Sequence, residues 1–228
     1  MFMYHLSINR EAFVKWSFTR SLITEEICDL NNASHYLLRE AFGPKAFKTY
    51  RFMGGRDIGD FVSIYAYTEL NLDDLCWNFS TFAPPDVMQV VNIDNLSCRE
   101  VPNSIPRGSE IPFDVKVIPI RRQQETRKEI DVHTHNKMAG MTLIPKESYF
   151  EWMEERLGVG VLLDFERFHI VDSQRRTSLR KGKVISKKEI SVSGVMKIID
   201  PDDFQAILKR GIGRHKSYGF GMILLRQR

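Results

Sequence analysis

The chain has 228 residues, of which 43% are hydrophobic and 27% are charged. This composition predicts a compact protein of one or two domains with a real core, and it excludes disordered and collagen-like chains. No stretch reaches the roughly 20 apolar residues of a membrane span, and the first ten residues lack the features of a signal peptide, so we expect a cytoplasmic protein. Cys28, Cys76 and Cys98 form no close pair, which argues against a disulfide framework or a thiolate zinc site. We expect them to be reduced and mostly buried.

Charge is distributed unevenly along the chain. The formal net charge is +4, but residues 1–115 carry −5 and residues 116–228 carry +9. A basic half joined to an acidic half is typical of proteins that bind nucleic acid with one of their domains, because phosphate neutralisation supplies much of the affinity. A merely basic surface explains the same composition equally well.

The first half reads as strand, helix, strand, strand, short helix, strand. Residues from Ile27 to Phe42 recur at helical spacing, with Thr24 as the predicted N-cap and Gly43-Pro44 as the stop. The strands are predicted at Met3–Ile8, Lys48–Met53, Phe61–Thr68 and Val87–Ile93, and the short helix at Leu72–Phe79.

The second half repeats this plan after Asn95–Pro112, a stretch rich in proline and without periodicity that predicts a linker. Asp200-Pro201 predicts a helix start, because proline suits the first turn and carboxylates favour the helix dipole there. The predicted helices are Lys146–Leu157 and the segment from Asp200 to Arg210, and the predicted strands are Phe113–Ile120, Val161–Val171, Lys188–Ile199 and Gly219–Arg226.

Both halves therefore fit a βαββαβ plan, in which two helices cover one face of a four-stranded antiparallel sheet. We predict an α+β protein of two tandem ferredoxin-like domains. The N-terminal domain spans residues 1–95, a linker spans 96–112, and the C-terminal domain spans 113–228.

A glycine-rich loop between the last helix and the last strand is the sharpest local pattern. Gly211, Gly213, Gly219 and Gly221 alternate with Arg214, His215, Lys216, Ser217 and Tyr218. Glycine permits positive φ and a close backbone approach, so this loop suits phosphate groups, although a purely structural turn explains it too. Its spacing matches neither a P-loop nor a dinucleotide fingerprint.

Two basic segments are further candidates for contact with a polyanion. Residues 174–188 hold seven Lys or Arg and no acid, which predicts a hairpin with Gly182 in its turn and unopposed positive charge. A second cluster, around residues 121–128, is diluted by acids. The predicted RNA-binding residues of the two segments are Arg121, Arg122, Arg127, Arg175, Arg176, Arg180, Lys181 and Lys183, and those of the glycine-rich loop are Gly211, Gly213, Arg214, His215, Ser217, Gly219 and Gly221.

Metal or cofactor chemistry has little support in the sequence. His133 and His135 would share one side of a strand, but no third ligand is apparent, and we read the segment as an exposed loop. We predict no metal site and no cofactor.

Four features, in order along the chain, resemble the CasE-type CRISPR precursor-crRNA endoribonucleases of the repeat-associated RNA-binding superfamily. The glycine-rich loop followed by the apolar strand Met222–Leu225 is similar to the ending of that family. His35, with Leu38 and Phe42 three and seven positions on, resembles its catalytic helix. Phe113–Arg122 resembles its strand ending in Pro-x-Arg, and Trp152–Leu157 its tryptophan-containing helix.

The resemblance implies a metal-independent endoribonuclease that binds the stem-loop of a CRISPR repeat and cleaves the precursor at the 3′ base of the hairpin. The substrate's 2′-hydroxyl is the nucleophile, and the products carry a cyclic phosphate and a 5′-hydroxyl. The resemblance also implies that the enzyme stays bound to the mature crRNA as a subunit of a crRNA-guided effector complex. His35 has a suitable pKa for proton exchange, and Lys216 and Tyr218 are the other predicted catalytic residues.

One departure from the family leaves alternatives open. The family often has a tyrosine three residues before the histidine, where this chain has Asn32. Tyr36 lies about 100° round the helix from His35 and is a poor substitute. Either another residue takes the second proton-transfer role, with His215, Lys216 and Tyr218 as candidates, or the enzyme is slow and uses a single histidine. A non-catalytic subunit that only binds the crRNA hairpin is therefore an alternative, and an enzyme that uses the glycine-rich loop for a small phosphorylated ligand is a weaker one.

Overall fold

The computed structural model describes residues 1–54, 59–102, 104–123, 126–180 and 183–226, with the backbone alone for residues 179, 180 and 183. The chain divides into two compact units. Unit 1 comprises Met1–Asn103, Thr177–Ile185 and Ser217–Gly219, and unit 2 comprises Ser104–Arg176, Ser186–Lys216 and Phe220–Arg228. No helix in the described ranges is long and apolar enough to cross a membrane.

Unit 1 is built on a four-stranded antiparallel sheet with the order β2-β3-β1-β4. Tyr4, Leu6 and Ile8 alternate toward the core from the central strand, as the period of two in a strand requires. The bounds are β1 Phe2–Asn9, α1 Arg10–Thr19, α2 Leu30–Phe42, β2 Thr49–Met53, β3 Phe61–Thr68, α3 Leu72–Phe82, α4 Pro85–Val90 and β4 Ser97–Glu100.

Helix α2 covers this sheet with the apolar stripe that the sequence predicts. Leu37, Leu38, Ala41 and Phe42 are buried in the core of the unit. Each fully buried Leu or Phe side chain contributes about 1.5–3 kcal/mol, so the stripe is enough to fix which face of the helix turns inward. Gly43 ends the helix at a φ of +86°, as expected.

The structure differs from the local predictions in and near unit 1 at five points. Helix α2 is capped by Asp29, whose side chain accepts the N–H of Asn32 at 3.2 Å, and not by Thr24. Val87–Ile93 is not a strand, because Pro85 occupies the first turn of α4, where a missing N–H costs nothing. Helix α1 is absent from the prediction, and the predicted linker contains β4. The three cysteines are exposed, not buried.

Unit 2 holds a sheet of order β11-β5-β10-β8, with β9 paired to β10. With β9 it has five strands. The other four, β5, β8, β10 and β11, are ordered in the sheet as the four strands of unit 1 are, when the sheet is read from the opposite edge. The bounds are β5 Glu110–Val117, β6 Ile120–Arg122, β7 Glu129–Asp131, α5 Val132–Met138, α6 Pro145–Leu157, β8 Val161–Leu163, β9 His169–Arg180, β10 Lys183–Ile198, α7 Pro201–Arg210 and β11 Ile223–Leu225.

The predicted βαββαβ plan is present in both sheets, and the predicted hairpin of residues 174–188 is the pair β9 and β10. Gly182 lies outside the described residues. His133 and His135 are in helix α5 and not in a loop, because the Asp131 side chain caps the N–H of Thr134 and starts a helix there. The predicted domain boundary at residues 96–112 stays a prediction.

Candidate active site

His35 lies on α2 at the edge of the apolar stripe. Its side chain is partly exposed, whereas Leu38 and Phe42, three and seven positions on, are buried. Two aromatic rings contact the imidazole: Tyr36 at 5.4 Å between centroids and Tyr218, also at 5.4 Å. A histidine in this position can exchange protons with a ligand and is oriented by its neighbours.

Tyr218 comes from the glycine-rich loop, and residues 217–219 of that loop belong to unit 1 together with His35. The loop is held by Tyr50 of β2, whose hydroxyl lies 2.9 Å from the carbonyl oxygen of Ser217. The structure therefore brings together two of the three predicted catalytic residues. Sequence reasoning missed Tyr50, since no local pattern links positions 167 residues apart.

Lys216, the third predicted catalytic residue, belongs to unit 2. Burial lowers the pKa of its ammonium group, and the positive charge of Arg210 lowers it further. A lysine with a lowered pKa gives up its proton more readily than an ordinary lysine does.

Positive φ angles and close packing explain why glycine occupies several positions of this loop. Gly221 has a φ of +81°, and a Cβ on it would lie 2.0 Å from the carbonyl oxygen of Ile212. Gly211, Gly219 and Gly221 are buried, and Gly213, at a φ of +72°, packs against the ring of Trp152. These observations account for the glycines through backbone geometry, and their contact with RNA stays a prediction.

Three basic residues of unit 2 converge on a single carboxylate. The Glu129 carboxylate forms an ion pair with Arg214, at 3.3 Å between oxygen and nitrogen. It lies 3.2 Å from the Nε2 atom of His215 and also contacts the Lys187 ammonium group. Burial raises the pKa of Glu129, but hydrogen bonding and charge from Lys187 and then His215 outweigh it, so the net shift is downward. The predicted cations Arg214 and His215 thus share one anchor.

The charge of the β9–β10 hairpin is partly opposed, contrary to the prediction. Glu189 is almost fully buried and pairs with Arg176 and, at 2.9 Å, with Lys116. The neighbouring Arg175 points the other way and is exposed, as alternation along a strand requires. Arg175 lines a groove of about 420 Å³ that also contains Lys187 and Lys188.

The remaining predicted RNA-binding residues vary in how they are engaged. Arg121 pairs with Glu155 at 2.7 Å, and Arg122 donates to the carbonyl oxygen of Arg127 at 3.2 Å. Ser217 is exposed. Lys181 lies outside the described residues, as do the side chains of Arg180 and Lys183.

Within the described ranges there is no group of three or more His, Cys, Asp or Glu residues arranged to hold a metal ion. His133 is engaged elsewhere, since its Nδ1 atom lies 3.1 Å from the hydroxyl of Ser148.

Comparison with known proteins places this geometry in a family. The profile of the family described as CRISPR associated protein matches residues 1–227. The CRISPR-associated endoribonuclease Cse3 of Thermus thermophilus is 25% identical over 117 residues, an alignment that spans 51% of this chain and 55% of the relative.

Solved structures share the fold over the full length. Thermus thermophilus Cse3 bound to an RNA representing a pre-cleavage complex has a TM-score of 0.65 at 16% identity, and Cas6e from Escherichia coli K-12 has a TM-score of 0.64 at 18% identity. Each match covers 100% of both chains. The two ferredoxin-like domains and the resemblance to the CasE type are thereby confirmed, and the chain belongs to the family of CRISPR-associated proteins.

Proposed function

We propose that this protein is a metal-independent endoribonuclease that binds the stem-loop of a CRISPR repeat and cleaves the precursor transcript at the 3′ base of the hairpin. The observation that carries the proposal is the pairing of His35 with Tyr218 at the edge of the α2 stripe, 5.4 Å between ring centroids. The endoribonuclease relatives and the shared fold support the reaction class.

The reaction uses the 2′-hydroxyl of the substrate as nucleophile. His35 takes the proton from this hydroxyl, the O2′–P bond forms, and the P–O5′ bond breaks. The Tyr218 hydroxyl protonates the departing 5′-oxygen, and the Lys216 cation stabilises charge on the phosphorane. The products are a 2′,3′-cyclic phosphate and a 5′-hydroxyl, so no outside oxidant or cofactor enters the balance.

RNA contact falls to cations of unit 2. Arg175 and Arg214 are exposed, and Lys188 is half-buried. They present positive charge that suits phosphate groups along an A-form stem, where shape and backbone contacts dominate recognition. We extend the proposal to retention of the product hairpin, with the protein acting as a subunit of a crRNA-guided effector complex. The surveillance complexes among the similar structures support this extension.

The proposal predicts that His35→Ala abolishes cleavage but not binding. Purified wild type and variant are incubated with a labelled repeat hairpin from the same genome in excess EDTA, and binding and cleavage are resolved separately. Loss of a general acid–base group costs about 10²–10⁴-fold in rate, whereas the affinity for RNA should stay nearly constant.

His5→Ala is the matched control, because His5 is also a partly exposed histidine of unit 1 but stacks on Tyr65 at 4.9 Å, away from Tyr218. Equal cleavage by wild type and His35→Ala would contradict the assignment of His35. Tight binding by the wild type without any cut would favour the non-catalytic crRNA-binding subunit, which Asn32 supports, because the position of the family's tyrosine is filled by a buried amide side chain.

A further inference from the structure

Tyr50 is a buried tyrosine whose hydroxyl joins the two segments that carry His35 and Tyr218. Its side chain is 5% exposed, and its hydroxyl oxygen lies 3.2 Å from the carbonyl oxygen of Asn31 and 2.9 Å from that of Ser217. Both neighbours are acceptors, so the single phenolic proton is shared between them. All of these residues belong to unit 1.

Each of the two carbonyl groups is connected through the backbone to one of the two residues, His35 or Tyr218. In an α-helix, the carbonyl of residue 31 also accepts the backbone N–H of residue 35, so the Tyr50 hydroxyl meets the same oxygen that holds the backbone of His35. The other carbonyl directly precedes Tyr218. One hydroxyl therefore contacts the backbone of both segments, while the ring centroids of His35 and Tyr218 are 5.4 Å apart.

Tyr50 is suited to remain a hydrogen-bond donor. Burial raises the pKa of its phenol well above the ordinary value, and the negative charge of Asp29 and the phenol of Tyr218 raise it further. The phenol therefore holds its proton more firmly than an ordinary tyrosine does, which suits a hydrogen-bond donor.

The ring of Tyr50 also shapes the loop. Gly219 has a φ of +80°, and a Cβ on it would lie 3.0 Å from the Cε2 atom of Tyr50. Tyr50 itself is fixed in register by β2, where it lies opposite Ala66 of β3. The loop residue next to Tyr218 thus rests on a ring that the sheet holds in place.

We propose that Tyr50 is a positioning residue for the reaction: through Asn31 and Ser217 it sets the distance and angle between the His35 imidazole and the Tyr218 phenol. The inference rests on the proposed function, because it assigns a role in the same cleavage. Tyr50 does not touch the RNA, since its side chain is buried.

Tyr50→Phe is the direct test, because it keeps the ring against Gly219 and removes only the hydroxyl. Single-turnover cleavage of the repeat hairpin should slow about 10-fold, as expected when reacting groups are held less accurately, with the affinity for the hairpin unchanged. Tyr67→Phe is the matched control, since Tyr67 is a buried tyrosine of the neighbouring strand β3 whose pKa is also raised by burial.

A double-mutant cycle separates positioning from general stability. If Tyr50 acts through Tyr218, adding Tyr50→Phe to Tyr218→Phe should cost much less than the 10-fold seen in the wild-type background. An equal cost in both backgrounds, or a wild-type rate for Tyr50→Phe, would overturn the proposal.

Hydrogen exchange gives a reading that does not depend on cleavage. The amides of residues 217–219 should exchange faster in Tyr50→Phe than in the wild type or Tyr67→Phe. If the wild type fails to cut RNA but this exchange rises, the proposed function fails while the anchoring by Tyr50 stands. Unchanged exchange at these amides would overturn the anchoring itself.

Discussion

At the scale of single residues, the tyrosine that contacts His35 comes from a distant part of the chain, the glycine-rich loop. The family's tyrosine position holds Asn32, and the structure puts Tyr218 beside His35 instead. Tyr36 also contacts the imidazole, edge to face at 69°, although its helical position alone argued against it. Two phenol rings therefore contact the same imidazole.

Tyr218→Phe should reduce the single-turnover cleavage rate about 10²-fold, because the ring contact stays but the proton for the 5′-oxygen is lost. A substrate with a bridging sulfur at the scissile 5′ position needs no protonation of its leaving group. The variant should cleave that substrate at the wild-type rate. Tyr36→Phe is the control, and a slow variant on both substrates would contradict the role as a general acid.

Among the elements, the β9–β10 hairpin is attached to the sheet by a buried ion pair. Glu189 of β10 is 1% exposed and meets Arg176 of β9 and Lys116 of β5. Burial raises the pKa of Glu189, but hydrogen bonding and charge from Arg176, then charge from Lys116, outweigh it and leave the pKa below its ordinary value. Its charged form is thus favoured in the folded protein.

Glu189→Gln should lower the free energy of unfolding by about 3–5 kcal/mol, because it leaves two largely buried cations without their counter-charge. Thermal unfolding at neutral pH measures this. Since the folded pKa of Glu189 is lowered, its contribution is complete above about pH 4.5 and is lost as the pH falls through the folded pKa, so the two proteins should converge in acid.

Glu155→Gln is the matched control, because the pair of Glu155 with Arg121 is about 40% exposed and such pairs contribute only about 0–1 kcal/mol. A destabilisation of similar size in both variants, or a difference between wild type and Glu189→Gln that persists unchanged in acid, would contradict the buried pair as the cause.

The same elements show what the sequence could and could not predict. Apolar periodicity was sufficient for α2 and for the central strands, because burial determines their faces. It failed for α1, whose apolar stripe is weak and whose start depends on the cap by Asn9, and for α4, where two prolines precede apolar residues that suit a strand as well. Short helices depend on caps and tertiary contacts more than on periodicity.

In the candidate site, too, some residues could be predicted from the sequence and others could not. His35 and the glycine-rich loop were found because each carries a local pattern. The partners Glu129 and Glu189 were missed, because they neutralise cations of other strands and nothing in the neighbouring sequence marks them. Arg175 and Arg176 are equivalent in a charge count, and only the strand's alternation shows that one is exposed and one is structural.

For the whole molecule, the uneven charge predicts a strongly salt-dependent affinity for RNA. The basic half carries 23 Lys and Arg residues, and some of these cations pair internally with Glu129 and Glu189. The number of phosphates contacted should therefore be smaller than a count of basic residues implies, and the slope of log affinity against log salt measures that number.

Arg175→Ala should reduce the magnitude of this salt slope by about 0.7–0.9, the effect of one phosphate contact, without changing thermal stability. Arg176→Ala should instead lower the melting temperature, because it breaks the pair with buried Glu189. Filter binding over a salt series distinguishes the two. If the neighbouring arginines behaved alike in both measurements, the assignment of Arg175 to RNA would be wrong.

Unit 1 is made of separate segments of the chain, so the ribosome synthesises its parts at different times. Its segment Met1–Asn103 is synthesised before Ser217–Gly219, which belong to the same unit. At roughly 5–20 residues per second, on the order of ten seconds separate the two segments. Throughout that interval the nascent chain carries His35 without Tyr218, so the proposed pair of catalytic residues is assembled only after Tyr218 has been synthesised.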